Sequence, residues 1–234
     1  MFPVKKLSGA ISLIEDAVRR SGGHMCVAYS GGKDSLAVME LVSRVVPKFT
    51  AFNFSICPDL PYLENQLEFA KKRWSVNIVS YPSDGFFQAQ QYGTFCHPQL
   101  ALAKYKPRTL AEMYMTGLIY LYNRIDMPVM TGMKDADGLP RRQFFSNIKM
   151  GGNPFWENVY HPLRNWSKQD VLNFLRISEI PLPNTEGKGV TNGVGLGQDA
   201  LCWLHKEQRE SFDAMEKWFP FIRSAVKRRE FYGI

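Results

Sequence analysis

The sequence predicts an α/β protein in which helices cover a parallel β-sheet, and three observations support this fold class. Between residues 25 and 178, short stretches of strand-favouring apolar residues alternate with stretches of helical periodicity. A polar turn with two adjacent glycines joins the first strand to a helix. Further polar loops directly follow strands, and the carboxyl ends of parallel strands meet at one edge of a sheet. We therefore expect the functional groups to lie at that edge.

Length and composition are typical of a soluble globular protein. The chain has 234 residues, of which 45% are hydrophobic and 22% charged, so a sizeable core is expected. We predict a main domain over residues 1–180 and a loop-and-helix appendage over 181–234, because residues 181–197 are rich in Pro and Gly. No apolar run reaches the roughly 18 residues of a membrane helix, and the N-terminus lacks a signal-peptide pattern. We expect a cytoplasmic protein with no membrane partner.

The first predicted elements surround the glycine turn. One helical stripe is formed by four apolar residues, Leu7, Ile11, Ile14 and Val18. Gly22 and Gly23 end that helix, and Met25–Tyr29 is the first strand. A second helix follows the turn, because apolar residues recur with helical spacing from Leu36 to Val42.

The turn itself predicts a phosphate site. It consists of Ser30, Gly31, Gly32, Lys33, Asp34 and Ser35. The glycines permit positive φ and let a ligand approach the bare backbone, while the following helix presents free N–H groups and a partial positive charge. Lys33 adds a full charge, the serines offer hydroxyl donors, and Asp34 caps the helix or holds a cation that bridges phosphates. The spacing differs from that of a Walker A loop and of a dinucleotide fingerprint.

Strands and helices continue to alternate after the turn. The further predicted strands are Phe49–Ile56, Val76–Tyr81, Pro128–Gly132 and Trp156–Tyr160. The further predicted helices are Tyr62–Trp74, Leu110–Arg124, Asp170–Ser178, Gln198–Lys206 and Phe212–Arg229. Residues 82–106 are expected to be irregular and aromatic, packing as a lid or stacking a base. Cys57 and Asp59 follow the second strand, which places them at the same edge as the phosphate turn.

Positive charge gathers in a polar loop that follows the fourth strand. The loop contributes Lys134, Arg141 and Arg142, cations that suit an anionic substrate or a developing phosphate charge. The net charge of +7 also favours a polyanionic partner such as nucleic acid. The charge is clustered in three basic runs, Lys71–Arg73, Arg141–Arg142 and Lys227–Arg229, and solvated faces explain these runs equally well.

Four cysteines are spread along the chain without a C-x-x-C pair: Cys26, Cys57, Cys96 and Cys202. This spacing argues against a zinc ribbon and an iron–sulfur cluster, and a disulfide framework is not expected in a chain of this size and compartment. Cys26 lies in the first strand and is expected in the core. The other three stay open.

Together these blocks resemble the phosphoadenosine-phosphosulfate reductase family of the PP-loop ATP pyrophosphatase superfamily. Ser30–Ser35 match the superfamily's S-G-G-x-D-S pyrophosphate loop. His161–Val171 resembles the family's P-L-x-x-W-x-x-x-D-V segment, Leu63–Phe69 its P-E-T-x-x-F helix start, and Gly132–Arg142 lies where the family has a G-x-R-x-x-E-S-x-x-R loop. The resemblance covers residues 24–180. It implies a Rossmann-like (adenine nucleotide alpha hydrolase-like) sheet of about five strands, with a helical C-terminal appendage.

Two departures from the family pattern bear on activity. Cys57-Pro58-Asp59 stands where the family has D-T-G, and the sequence has no C-terminal E-C-G-x-H cysteine. Sulfate reduction by the family's thiol route is therefore not expected. In character the chain is more similar to the ATP pyrophosphatases of DNA phosphorothioation systems.

The resemblance implies an enzyme that uses ATP and Mg²⁺ to adenylate an acceptor for sulfur transfer, with DNA or another nucleic acid as acceptor. Residues 30–35 would bind pyrophosphate, and Asp34 or Asp59 would hold the metal or the ribose. Lys134, Arg141 and Arg142 would clamp the acceptor. Cys57 and Cys96 are candidate catalytic persulfide carriers, with ordinary buried thiols as the alternative.

This interpretation implies a cysteine desulfurase or another sulfur-donor protein as partner, and it leaves a homodimer open. Two other functions also stay open. A sulfonucleotide reductase using one of the unexpected cysteines would release sulfite in the presence of thioredoxin. A nucleotide- or DNA-binding module without catalysis would bind ATP and release no pyrophosphate.

Overall fold

The computed structural model describes residues 4–149, 154–186 and 195–233 of the chain. Within these ranges, one five-stranded sheet runs in the order β3-β2-β1-β4-β5. The strands are β1 Cys26–Ala28, β2 Thr50–Ser55, β3 Asn77–Pro82, β4 Val129–Met130 and β5 Val159–Tyr160. β1 pairs in parallel with β2 and with β4, and β4 pairs in parallel with β5. The predicted parallel α/β fold is confirmed, and the strand that carries the glycine turn is central.

Helices connect the strands, as parallel pairing requires. The described helices are α1 Val4–Arg20, α2 Lys33–Ser43, α3 Pro61–Trp74, α4 Asp84–Tyr92, α5 Leu110–Tyr122, α6 Leu139–Lys149, α7 Lys168–Ile177, α8 Gln198–Glu207, α9 Arg209–Trp218 and α10 Arg223–Tyr232. Among them, no helix combines the length and apolar character needed to cross a membrane.

The sequences of β1 and α2 are apolar because both elements are buried in the core of the first unit. Cys26 and Val27 of β1 are fully buried, and α2 is buried along nearly its whole length from Ser35 to Val42. A strand covered on both faces has no polar alternation to display. α2 packs against α1 and α7, so the helix that begins at the phosphate loop is fixed by its neighbours.

Two compact units divide the chain. The first comprises residues 1–53, 70–79 and 109–183, and the second comprises residues 54–69, 80–108 and 184–234. Each unit is therefore assembled from separate segments. The contiguous division into residues 1–180 and 181–234 stays a prediction.

The second unit contains a helical cluster formed by α8, α9 and α10, with α8 packing against both others. Phe212, Met215 and Phe219 are fully buried in it. Phe86 of α4 meets Phe219 edge-on, with ring centroids 5.9 Å apart. Phe86 therefore serves packing, one of the two uses expected for the aromatic residues of 82–106, whereas Tyr92 is exposed.

Residues 82–106 are more regular than predicted, because α4 has strong local signals at both ends. The Ser83 side chain accepts a hydrogen bond from the N–H of Phe86, and Gly93 ends the helix in the left-handed conformation. The polar loop after β4 was likewise predicted as coil, but its second half forms α6. In the C-terminal segment, the predicted helix Phe212–Arg229 is split into α9 and α10 around Pro220, whose ring is incompatible with a helix interior.

Candidate functional site

The phosphate loop lies between β1 and α2, at the carboxyl end of the central strand. Gly31 has a φ of +74°, a conformation that favours glycine. Gly32 is the N-cap of α2, with φ −85° and ψ 162°, and no side chain of the described residues caps the helix there. The N–H groups of the first turn are left for a ligand, and the helix dipole adds partial positive charge to them.

Hydrogen bonds within the first unit hold this loop in shape. The Tyr29 N–H donates to β2 at 2.9 Å, and the Tyr29 carbonyl accepts from Nδ2 of Asn53 at 2.8 Å. The Ser35 hydroxyl donates to the Gly32 carbonyl at 2.9 Å, and the Ser30 hydroxyl donates to Ser35 at 3.2 Å. Since Asn53 is only 1% exposed, the loop is positioned by the core of the sheet.

Gly132, just after β4, touches the beginning of α2. A Cβ atom built on this glycine would lie 3.0 Å from the carbonyl carbon and from the Cβ of Asp34, and 3.1 Å from the nitrogen of Ser35. Real Cβ atoms are rarely this close to backbone atoms, which cannot swing aside as a flexible side chain can. The close approach of the two loops therefore requires a glycine.

A buried lysine connects the loop after β4 to the phosphate loop. Nζ of Lys134 lies 2.7 Å from Oδ1 of Asp34 and 2.8 Å from Oδ1 of Asp137, and the Lys134 side chain is 2% exposed. Nζ of Lys33 lies 3.1 Å from the other Asp34 oxygen, Oδ2. A charge this buried is stable only when it is paired. Asp34 thus holds two ammonium groups beside the N-terminus of α2, where an anion is favoured.

The two arginines of the same segment have different surroundings. Arg141 is half-buried in the first turn of α6, with Nη1 3.1 Å from the sulfur of Met133. Arg142 is exposed. The structure therefore brings Lys134 to the phosphate loop, places Arg141 beside Met133 and leaves Arg142 at the surface. The acceptor-clamping role of these residues stays a prediction.

A half-buried histidine lies at the end of β5, with its Nε2 atom buried. Nδ1 of His161 is 2.7 Å from Oγ1 of Thr131, which follows β4, and its ring meets Phe145 edge-on at 4.8 Å between centroids. Burial, followed by the positive charges of Arg164 and Arg141, lowers the pKa of His161 to about 4. The imidazole is therefore neutral near pH 7.

Three predicted site residues, Cys57, Asp59 and Cys96, belong to the second unit. Cys57 is buried, and burial together with the negative charge of Asp59 raises its pKa to about 12. Burial also raises the pKa of Cys96. Asp59 is exposed, with a φ of +53°. Because the thiolate is the reactive form of cysteine, neither thiol is activated in this structure. The assigned roles of all three residues stay predictions.

The carboxylate of Asp34 was also predicted to hold Mg²⁺. Within the ranges that the structure describes, no three His, Cys, Asp or Glu side chains gather as a metal cluster. Magnesium in nucleotide sites takes one or two carboxylates and completes its shell with phosphates and water. A single carboxylate beside an open helix N-terminus fits such a nucleotide-borne ion, and the metal role of Asp34 stays a prediction.

Several site residues were not identified from the sequence. Lys134 was singled out, but its partner Asp137 was not, and neither Thr131 nor His161 was assigned a role. Their positions in the sequence could have identified them. Thr131 and Gly132 follow β4 and His161 follows β5, so all three lie at the carboxyl edge of the sheet. Their contacts depend on packing that sequence spacing does not reveal.

Comparisons with known proteins give matches among solved structures alone: no family model and no curated protein matches the chain. The NH3-dependent NAD synthetase from Campylobacter jejuni subsp. jejuni, solved with a nitrate ion, matches with a TM-score of 0.51 at 11% identity, over 98% of this chain and 95% of that one. The FMN adenylyltransferase from Candida glabrata, in complex with ATP, matches with a TM-score of 0.50 at 19% identity, over 80% of this chain and 58% of that one.

A third match has a TM-score of 0.49 at 12% identity. It is the phosphoadenylyl-sulfate reductase from Candida auris in a phosphate complex, and the match covers 78% of this chain and 86% of that one. At sequence identities this low, a structural match gives evidence about the fold alone. For this chain, the evidence about the fold comes from the NAD synthetase and the FMN adenylyltransferase structures.

Proposed function

From the premise that this chain has the fold of the PP-loop ATP pyrophosphatase superfamily, we propose that it cleaves ATP between the α- and β-phosphates and adenylates an acceptor. One observation supports this most directly: the uncapped N-terminus of α2 lies beside Lys33 and Lys134, which share the carboxylate of Asp34. Backbone N–H groups, a helix dipole and two ammonium groups in one place suit a polyphosphate.

Different groups of the loop would bind different parts of the leaving group, pyrophosphate. Pyrophosphate would accept hydrogen bonds from the N–H groups of residues 31–35 and from the Ser30 and Ser35 hydroxyls, which would rotate away from their partners within the loop to donate to it. Lys33 and Lys134 would offset its charge, which grows as the bond between the α-phosphorus and the bridging oxygen breaks. An acceptor oxygen attacks the α-phosphorus, so the products are an adenylated acceptor and pyrophosphate. Asp34 orients both lysines before the ligand arrives.

Magnesium would be held by Asp34 together with the phosphates, and it would supply charge neutralisation at the transferred group. Asp59 is the proposed contact to the ribose or the metal. Arg141 and Arg142 are the proposed contacts to an anionic acceptor, in keeping with their charge.

The finer proposal concerns sulfur transfer to a nucleic acid. After adenylation, a persulfide sulfur delivered by a cysteine desulfurase or a similar donor would displace AMP from the acceptor. A thiol would then cleave the S–S bond and become a disulfide, leaving sulfur in place of oxygen on the acceptor. The net charge of +7 supports a polyanionic acceptor. We also propose a second copy of the chain as a partner.

Pyrophosphate release from ATP and Mg²⁺, with and without DNA, tests the proposal. We expect turnover in the wild type, stimulation by DNA, and losses of about 100-fold or more in two variants, Lys33→Ala and Asp34→Ala. Lys33→Ala removes a cation from the phosphate loop, and Asp34→Ala removes the carboxylate that orients Lys33 and Lys134. Lys48→Ala is the matched control. Lys48 is exposed, has no ion-pair partner in the described part of the chain, and precedes β2, at the opposite edge of the sheet.

The alternative functions give different results. ATP binding without pyrophosphate release under every condition would contradict the adenylating function and indicate a binding module. Thioredoxin-dependent release of sulfite from a sulfonucleotide, without ATP turnover, would indicate a reductase.

A further inference from the structure

A cavity lies in the first unit, and the described residues that line it do not include the phosphate loop. Its volume is about 350 Å³, which falls within the range of small-ligand sites. The start of α1 forms one wall, and the segment between β5 and α7 forms the other. Residues that line it include Lys5, Lys6, Leu13, His161, Arg164 and Trp166.

The cavity opens at the functional edge of the sheet. α1 ends just before β1, so its first residues lie at the carboxyl ends of the strands, and His161 directly follows β5. The N–H of Asp135 donates to the Arg164 carbonyl at 3.0 Å. Since Asp135 is adjacent to Lys134, the cavity wall is connected to the segment that contacts Asp34.

The charged side chains that line this cavity, Lys5, Lys6 and Arg164, are all cations. Lys5 is exposed and has no ion-pair partner among the described residues. Nζ of Lys6 lies 2.6 Å from Asp170, and Nε of Arg164 lies 3.2 Å from Asp135. None of the described residues that line the cavity is acidic. A ligand entering it would therefore meet three cations, one of them without a carboxylate partner.

His161 supplies a polar ring nitrogen at the same place. Oγ1 of Thr131 accepts the N–H of Met133 at 3.4 Å and lies 2.7 Å from Nδ1 of His161, a bond in which either atom can be the donor. In the tautomer in which the Thr131 hydroxyl donates, the imidazole proton is on Nε2. Nε2 is buried and has no hydrogen-bond partner within the described ranges. A buried donor without a partner is costly, and an oxygen atom of a ligand would satisfy it.

We propose that this cavity binds a tetrahedral oxyanion of the acceptor, a phosphate or sulfate group, through Lys5, Lys6, Arg164 and Nε2 of His161. The identification with the acceptor rests on the proposed function, whereas the oxyanion site itself rests on the cavity. Such a group could belong to either of two kinds of ligand: a small phosphorylated or sulfated molecule, or the phosphodiester backbone of a nucleic acid.

Equilibrium binding to the purified full chain tests the site, with inorganic phosphate and a fluorescent single-stranded 12-nucleotide DNA as probes. We expect phosphate affinity to fall about 3- to 10-fold in Lys5→Ala, because a charge-assisted hydrogen bond is lost. We expect a loss of about 10-fold in His161→Leu, because a buried hydrogen bond is lost. His161→Gln keeps an amide N–H donor and should retain most of the affinity. Lys48→Ala should bind phosphate as the wild type does.

Unchanged phosphate affinity in Lys5→Ala and His161→Leu would overturn the proposal. If His161→Leu does not fold, as judged by circular dichroism, the result for Lys5→Ala tests the proposal alone, because Lys5 is exposed and makes no ion pair with the described residues. ATP affinity, measured on the same preparations, should stay unchanged in every variant except a Lys33→Ala control.

The DNA probe distinguishes the two sources. Weaker DNA binding in Lys5→Ala, with phosphate and DNA competing, assigns the site to a phosphodiester. If Lys5→Ala weakens phosphate binding but leaves DNA affinity unchanged, the site is assigned to a small anion. A chain that binds phosphate here but releases no pyrophosphate from ATP would retain the oxyanion site and contradict only the adenylating function.

Discussion

Gly132 shows how a single missing Cβ can control the approach of two loops. The backbone of Asp34 and Ser35 passes within about 3 Å of where that atom would lie. We predict that Gly132→Ala displaces the start of α2, lowers the free energy of unfolding by about 1–3 kcal/mol and weakens ATP binding about 10- to 100-fold. Urea unfolding and isothermal titration with ATP measure the two effects.

Gly9→Ala is the control for this substitution. Gly9 lies in α1, and a Cβ there would have no atom within 4 Å. Because alanine favours helices over glycine, this variant should be at least as stable as the wild type and bind ATP equally well. If Gly132→Ala behaved in the same way, the two loops would not be in contact in solution.

His161 predicts a dependence of stability on pH. Its pKa is about 4 in the folded chain, against an ordinary value of 6.5, because of burial and the charges of Arg164 and Arg141, which Asp135 only partly offsets. The unfolded state therefore takes up a proton first as the pH falls. The stability that the neutral imidazole contributes is complete above pH 6.5 and is lost between about pH 6.5 and 4.

We expect this loss to be on the order of 3 kcal/mol. Guanidinium unfolding at intervals between pH 7.5 and 4.5 measures it, with His161→Gln as the comparison. The variant has no imidazole to titrate, so its stability should fall less steeply over the same interval. Parallel curves for the two proteins would show that the histidine is not buried as described.

Two helices of the first unit begin with the same capping arrangement, which allows a matched comparison of elements. Ser167 caps α7 with Asp170 at N3, and Thr109 caps α5 with Glu112 at N3. Asp170 also binds Lys6 of α1 at 2.6 Å. The α7 cap therefore joins two elements, whereas the α5 cap is local and exposed.

We predict that Ser167→Ala lowers the free energy of unfolding by about 1–2 kcal/mol and Thr109→Ala by about 0.5–1 kcal/mol. The larger loss follows because Ser167 orients the carboxylate that Lys6 needs. Thermal and urea unfolding of the two variants measure the difference. Equal losses would mean that the Lys6–Asp170 ion pair contributes nothing that depends on the cap.

Across the whole molecule, burial separates the four cysteines into two reactivity classes. Cys26, Cys57 and Cys96 are buried, and burial raises the pKa of each thiol; Cys202 is half-buried and all four are free. Reaction with an aromatic disulfide at pH 8 should therefore show one fast thiol in the native protein and four after denaturation.

Cys202→Ser should remove the fast phase. A fast phase that survives this substitution would identify a second reactive thiol, and labelling of Cys57 or Cys96 would then support the persulfide role that the sequence suggested. Slow labelling of both would assign them to packing.

The sequence by itself determined the order of the five strands along the chain, the parallel sheet and the place of the glycine turn. These features follow from local causes: apolar periodicity marks the buried faces, and the Ser30–Ser35 pattern specifies a strand–turn–helix with an open N-terminus. Local signals were misread where they were short or mixed. The caps of α4 lay in a segment rich in Gly and Pro, and α6 begins within a polar stretch that includes Pro140.

Only the tertiary structure decided which side chains of the edge belong together. Asp34 is about 100 residues from Lys134 in the chain, and no spacing rule connects them; their 2.7 Å contact exists because β4 lies beside β1. The same holds for the lysines of α1 that face His161, which follow from α1 packing near β5. Burial, and with it the neutral state of His161 and the raised pKa of the Cys26, Cys57 and Cys96 thiols, depends on the complete set of neighbours. A linear pattern describes one strand or helix at a time, whereas electrostatics and packing depend on all the elements that surround a group.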